Sequence, residues 1–297
     1  MFDAIVFAGG GCRCLWQVGF IEALRQRVPL APRAVTSVSA GSAMAAMIFA
    51  DRVQAGIETF RRLTAANPKN VYPANLLGKA RVFPHAAMYR RAIVETLDAR
   101  ALDVLAEAPP IDVLVARPPA LPAPAALLAG YVSYLLERRV HARVHPQWPR
   151  AIGFRGELYT MQQHAAAAPA AERADAIADL VLASSCTPPF TPIYRFGSRL
   201  SLDGGLVDNV PIFAVPEHCE RTLVLLTRRY PPEKLHSGSQ HAGEHVVAQP
   251  SEPIPVVKWD YTSPDKLAAT FELGLRDGER FAKHETQSAS WTSRRRA

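Results

Sequence analysis

The chain has 297 residues, with 34 Lys and Arg against 27 Asp and Glu, a formal net charge of +7, and 48% apolar residues. That balance excludes a disordered or fibrous chain and fits one large α/β domain, alone or with a small cap. The longest apolar stretches, residues 43–50 and 125–136, fall short of the roughly 20 residues that span a bilayer.

The opening run Phe2-Asp3-Ala4-Ile5-Val6-Phe7 reads as a strand with no basic segment before it. A cleaved signal peptide is therefore not expected, and a cytoplasmic location, with peripheral visits to a membrane, is. A glycine turn at 9–11 leads to a helix over 15–27, a strand over 34–38 and a helix over 40–50. Helical stretches continue to about 108, broken near Pro68, Pro73 and Pro84. A strand covers 111–115, and a Pro-dense loop then marks an insertion over 117–150. Beyond it come a strand near 151–159, a helix near 170–183, and strands near 200–202, 222–226 and 254–261. Residues 232–252 read as a polar loop. A final helix covers 264–283, followed by a basic, frayed tail from 286 to 297. Strands alternating with helices predict a mostly parallel sheet with helices on both faces. Ligands of such sheets sit at the carboxyl ends of the strands.

The positive charge is uneven. Arg117, Arg138, Arg139, Arg143, Arg150 and Arg155 stand against Glu137 alone between residues 116 and 156, and Arg294, Arg295 and Arg296 close the chain. The rest is close to neutral. The basic segment follows an apolar run with Leu128, Tyr131, Val132, Tyr134, Leu135 and Leu136. A cap helix with a solvated basic end and a helix that meets an anionic membrane surface both fit. No nucleic-acid-binding pattern accompanies the arginines, so a nucleic acid partner is not expected. Four cysteines, Cys12, Cys14, Cys186 and Cys219, are too few and wrongly spaced for a disulfide scaffold or a zinc knuckle.

Three motifs carry chemistry. Gly9-Gly10-Gly11-Cys12-Arg13-Cys14 follows the first strand. Its glycines expose backbone N–H groups at a helix start, where a phosphate or a developing oxyanion could be held; a plain tight turn is the alternative. It lacks the Lys-Ser/Thr of a P-loop and the spacing of a dinucleotide fingerprint. Ser37-Val38-Ser39-Ala40-Gly41 has the spacing of a nucleophile elbow, with Ser37 in place of the first glycine. Ser39 is then a nucleophile, or else an N-cap. Asp203-Gly204-Gly205 puts a carboxylate on a tight turn, as a partner for the Ser39 hydroxyl or as a simple turn residue. The order separates this chain from an α/β-hydrolase, whose elbow comes later and whose His follows the Asp. The histidines after Asp203 (His218, His236, His241, His245 and His284) read as surface or loop residues.

With these motifs in this order the chain resembles the patatin-like phospholipase family. The family's GGGx(R/K)G motif corresponds to residues 9–14, with Cys14 replacing the last glycine. Its elbow corresponds to residues 37–41 and its DG(G/A) aspartate to Asp203-Gly204-Gly205. Ala183-Ser184-Ser185-Cys186-Thr187-Pro188-Pro189-Phe190 and Val207-Asp208-Asn209-Val210-Pro211 look like the family's surroundings of the aspartate. Residues 260–265 and 274–278 resemble bacterial members. The resemblance covers most of 1–285 and is thinnest over 117–150. It implies a three-layer α/β/α fold with a mostly parallel central sheet and a helical insertion. It also implies lipid acyl ester hydrolysis by a Ser39–Asp203 dyad, with no metal or cofactor. Gly9, Gly10, Gly11, Cys12, Arg13 and Ala40 would form the oxyanion loop; Ser37, Gly41, Gly204 and Gly205 would support the turns. An esterase or thioesterase for small soluble substrates, and a non-catalytic binding protein on the same fold, are the alternatives.

Overall fold

The computed structural model describes residues 1–77, 81–136, 148–231 and 243–295. Four parallel pairings build the sheet's spine: β1 (Ala4–Phe7) lies between β2 (Ala34–Val38) and β7 (Arg221–Leu225), β2 pairs β3 (Ile111–Arg117), and β7 pairs β8 (Glu244–Ala248). Antiparallel strands finish one side. β4 (Arg155–Thr160) pairs β3, as does β6 (Arg199–Asp203), which in turn pairs β5 (Tyr194–Phe196).

The two-residue period of the strands sorts their side chains. Ile5 and Phe7 of β1, Val35 of β2, Ile111 and Val113 of β3 and Leu223 and Leu225 of β7 enter one large core. That core is completed by helices α1 (Leu15–Arg25), α2 (Ala40–Phe49), α3 (Val53–Ala65), α4 (His85–Thr96), α5 (Ala99–Ala106), α8 (Met161–Ala166) and α9 (Arg173–Ser184). Ala4, Val6 and Val224 face the other way, onto Val210, Ile212 and Val215 in a thinner layer of 3-10 turns. Beside that layer α6 (Ala123–Leu136) rests on the turn at Gly204–Leu206, with Gly130 close to Leu202, Leu206 and Phe154. The fold is a three-layer α/β/α sandwich with unequal outer layers.

Several boundaries differ from the sequence reading. Residues 254–261 form an irregular loop, because Pro253 and Pro255 remove ladder donors there. The parallel edge strand is instead β8, inside the stretch read as a polar loop, where Val246 and Val247 supply strand formers. Residues 232–242 of that stretch lie outside the described residues. A short helix α7 (Trp148–Ala151) occupies the start of the strand expected from 151, and β4 begins at Arg155. The last helix, α10 (Pro264–Arg295), continues through the segment expected to fray. It packs along α1, where Trp16 Nε1 donates to Asp277 Oδ2 at 2.8 Å. Among the described residues no helix is long and apolar enough to cross a membrane, and all four cysteines are free and buried.

Candidate active site

β2 runs into α2 through a single residue, Ser39, whose φ of 54° and ψ of −134° are strained for a side chain with a Cβ. Such a turn lifts the hydroxyl above the end of the sheet. It is sharp only because α2 can pass close to β1. A Cβ on Gly41 would stand 2.7 Å from the carbonyl oxygens of both Phe7 and Ala8. Ser37, two residues before, fits without strain: its Oγ donates to Asp112 O at 3.1 Å and lies 3.0 Å from Ser42 Oγ. Ser184, at the end of α9, fastens the turn. Its Oγ accepts the Ser39 N–H at 2.7 Å and donates to Leu114 O at 2.6 Å.

The sheet register delivers Asp203. β4 occupies one edge of β3 along Asp112–Arg117. The other edge takes β2 up to the Val38–Leu114 pair and then β6, with Asp203 opposite Val115. The last residue of β6 thus arrives one step beyond the last residue of β2. Ser39 Oγ donates to Asp203 Oδ2 at 3.0 Å, and both residues are buried. Asp203 Oδ1 accepts the Gly205 N–H at 2.8 Å, Thr187 Oγ1 donates to Oδ2 at 3.2 Å, and the Asp203 N–H donates to Cys186 O at 2.8 Å. A Cβ on Gly204 would collide with Leu114 O, so this turn also needs its glycine. Lys258 Nζ stands 3.8 Å from Asp203 Oδ2 and 4.9 Å from the centre of the Trp259 ring.

The glycine loop lies beside this pair, with part of its hydrogen-bonding capacity already used. The Gly9 N–H donates to Asn209 O at 3.2 Å and the Cys12 N–H to Lys258 O at 3.1 Å. Gly9 O accepts from Thr227 Oγ1 at 2.6 Å and Asn209 Nδ2 at 3.1 Å, and Arg13 Nε donates to Gly10 O at 3.2 Å. Gly11 sits at a φ of 59°. Gly11 and Ala40 open their helices, so their N–H groups have no partner inside the helix. No other partner for them occurs among the described residues, and both residues line a cavity with Ser39. Cys14 is accommodated fully buried, its Sγ 3.6 Å from Ala8 O, and burial pushes its thiol up to about 12. The Cys12 thiol is raised further by burial.

An apolar cavity starts at Gly11, Cys12 and Ala40 and runs between α2, α3 and α4. Leu15, Met44, Met47, Phe60, Ile93 and Leu97 are among its walls. Tyr261, in its wall, belongs to an aromatic cluster: Phe190 stacks on Trp259 at 4.8 Å, and His85 meets Phe190 and Tyr261 edge-on at 5.6 and 4.7 Å.

A serine on a strand-to-helix turn at the carboxyl end of a mostly parallel sheet, facing a carboxylate and an apolar cavity, is an arrangement suited to acyl ester hydrolysis. The family comparison agrees. The model described as Patatin-like phospholipase matches residues 5–215. The chain belongs to the patatin-like phospholipase family, a family of lipid acyl hydrolases. Among curated proteins none matches the chain.

The structure brings Ser39, Asp203, Gly11 and Ala40 together, with Ser37, Gly41, Gly204 and Gly205 shaping their turns. His218 and His284 are exposed, and His245 lies half-buried in β8; His236 and His241 lie outside the described residues. Sequence reasoning missed Lys258, Trp259 and His85. The first two belong to a segment read as a strand, and His85 stood in a helix with no motif around it. Ser184 and Thr187 were within reach, since they flank Cys186 in the segment already compared with the family. Arg117 belongs to no basic surface: it is 3% exposed and donates to Glu157 at 2.8 Å.

Proposed function

We propose that the protein is a carboxylic ester hydrolase of phospholipase A or lysophospholipase type, working through Ser39 and Asp203. The 3.0 Å hydrogen bond from Ser39 Oγ to Asp203 Oδ2, on an elbow above an apolar cavity, carries this reading. Ser39 attacks the acyl carbonyl while Asp203 takes its proton. The N–H groups of Gly11 and Ala40 face the oxyanion. Collapse expels the alcohol, which leaves with the proton held by Asp203, and the acyl group stays on Ser39. Water then cleaves the ester: one of its protons passes through Asp203 to Ser39 Oγ, and the acid departs. The apolar cavity takes the acyl chain. Gly9, Gly10, Cys12 and Arg13 hold the loop in shape, and no metal or cofactor takes part in these steps.

Purified protein is tested on p-nitrophenyl acyl esters, on phospholipid vesicles and with a fluorophosphonate probe. Ser39→Ala and Asp203→Asn should each lose at least about 100-fold in turnover, the lower range for a nucleophile or general base, while unfolding at the wild-type urea midpoint. Turnover on short esters but not vesicles would point to a small-substrate esterase or thioesterase. Absence of Ser39 labelling and of turnover would point to a binding protein.

The same surface suits an anionic membrane. Leu128, Tyr131, Val132 and Leu135 of α6 are 62, 58, 44 and 36% exposed. The opposite side of that helix rests on the turn after Asp203. Arg138, Arg139 and Arg143, which follow α6 in the sequence, lie outside the described residues; Arg150 and Arg155 are exposed.

A further inference from the structure

A second, smaller cavity adjoins the dyad, and Ser39, His85, Tyr89 and Ser185 are in its wall. Three polar atoms of these residues, His85 Nδ1, Tyr89 Oη and Ser185 Oγ, are buried and meet no hydrogen-bond partner among the described residues. Tyr89 and Ser185 are close enough to interact, but neither hydroxyl reaches the other in hydrogen-bonding geometry. Buried polar atoms are costly when unpaired, and three around one cavity call for a common ligand.

The chemistry of that ligand follows from the imidazole. His85 Nε2 lies 3.0 Å from Trp259 O. A carbonyl only accepts, so Nε2 carries the hydrogen and Nδ1 of the neutral ring is a bare acceptor. Burial lowers the pKa of His85, which keeps the ring neutral. Edge-on contacts with Phe190 and Tyr261 fix its orientation. The ligand must therefore donate to Nδ1 and accept from a hydroxyl of Tyr89 or Ser185. The space beside these atoms suits about one water molecule.

We propose that this niche positions the hydrolytic water that cleaves the acyl-Ser39 ester, with His85 as its principal anchor. This deepens the hydrolase reading and rests on it. The water directs one hydrogen to His85 Nδ1 and the other to Asp203. As its oxygen bonds to the acyl carbon, the second hydrogen passes through Asp203 to Ser39 Oγ. The first leaves with the oxygen in the carboxylic acid, so His85 gains no proton. Acylation of Ser39 consumes no water, so loss of a hydrogen bond to the water falls on the second half of the reaction.

The test is the partition of the acyl-enzyme between water and methanol, whose single hydroxyl hydrogen cannot serve both His85 Nδ1 and Asp203. Wild type, Tyr89→Phe, His85→Phe and His85→Asn are given a p-nitrophenyl ester in aqueous methanol. The ratio of methyl ester to free acid is measured, and acyl-Ser39 is followed by intact-protein mass. Tyr89→Phe deletes a hydroxyl without a partner and so keeps the fold. It and His85→Phe should raise the ratio about five-fold, the factor one neutral hydrogen bond supplies, and should accumulate acyl-Ser39. His85→Asn, which restores an acceptor near Nδ1, should fall between His85→Phe and wild type. Normal acylation of Ser39 with an unchanged ratio in Tyr89→Phe and His85→Phe would overturn this inference alone. A wild-type protein that never acquires an acyl group on Ser39 would overturn the hydrolase reading and this one together.

Discussion

The amide of Ser39 donates to the hydroxyl of Ser184 at 2.7 Å, and that hydroxyl in turn donates to Leu114 O. One side chain thus ties the Ser39 turn to β3, the strand that also aligns Asp203. Ser184→Ala would leave a buried N–H and a buried carbonyl unpaired, each worth about 1–3 kcal/mol. The variant is expected to lose about 2–6 kcal/mol in urea unfolding. Its turnover on p-nitrophenyl esters should fall as well, because the strained φ of Ser39 loses its main restraint.

If the apolar cavity takes the acyl chain, chain-length preference should be set where α3 crosses α2. Gly56 lines the apolar cavity, and a side chain there would run into Met47 Sδ and approach Thr96 Cγ2 at 3.2 Å. Gly56→Val should push the Met47 side chain into the cavity. Each buried methylene contributes about 0.8 kcal/mol, roughly a factor of four. The variant is expected to lose ten-fold or more in kcat/KM on long-chain p-nitrophenyl esters and little on the butyrate. A profile across ester lengths measures it, and parallel loss at every length would refute the assignment of the cavity to the acyl chain.

The parts of the site that depend on local backbone shape were legible from residue order. Small residues around Ser39 and the glycines beside Asp203 are steric requirements, and steric requirements leave short motifs. The partners that reach the site over long sequence distances were not. Lys258 and Trp259 lie on a loop whose alternating apolar residues imitate a strand; only the two prolines argue otherwise. β8 was hidden because an edge strand half open to water needs only a few apolar residues. Of the glycine loop, sequence showed that N–H groups are exposed but not which are spent: Gly9 and Cys12 bond to Asn209 and Lys258, far along the chain.

The exposed face of α6 makes a binding prediction. The protein should sediment with vesicles containing an anionic phospholipid and be released as salt rises, because charged contacts at an exposed surface are screened over about 8–10 Å at physiological ionic strength. Leu128→Asp and Tyr131→Asp together should abolish sedimentation, yet leave turnover on a soluble short-chain ester within about two-fold. Equal binding of the wild type to neutral vesicles would count against a role for the arginines.

Acid stability should report on the far end of β3. Burial alone would raise the Glu157 carboxyl, but hydrogen bonds from Arg117, Tyr159 and Arg199 outweigh it and hold the pKa at about 2, below its ordinary 4.5. A carboxyl depressed on folding stabilises the fold above its unfolded pKa, and that contribution disappears as pH falls from 4.5 towards 2. The side chain is 29% exposed, so solvent screening reduces the gain to about 1–2 kcal/mol. Glu157→Gln also leaves the buried Arg117 without its counter-charge. The variant should therefore be less stable than wild type at pH 7 by at least that amount. The gap should close as both proteins are titrated below pH 4 in urea melts, and a gap constant across that range would show that Glu157 does not titrate with folding.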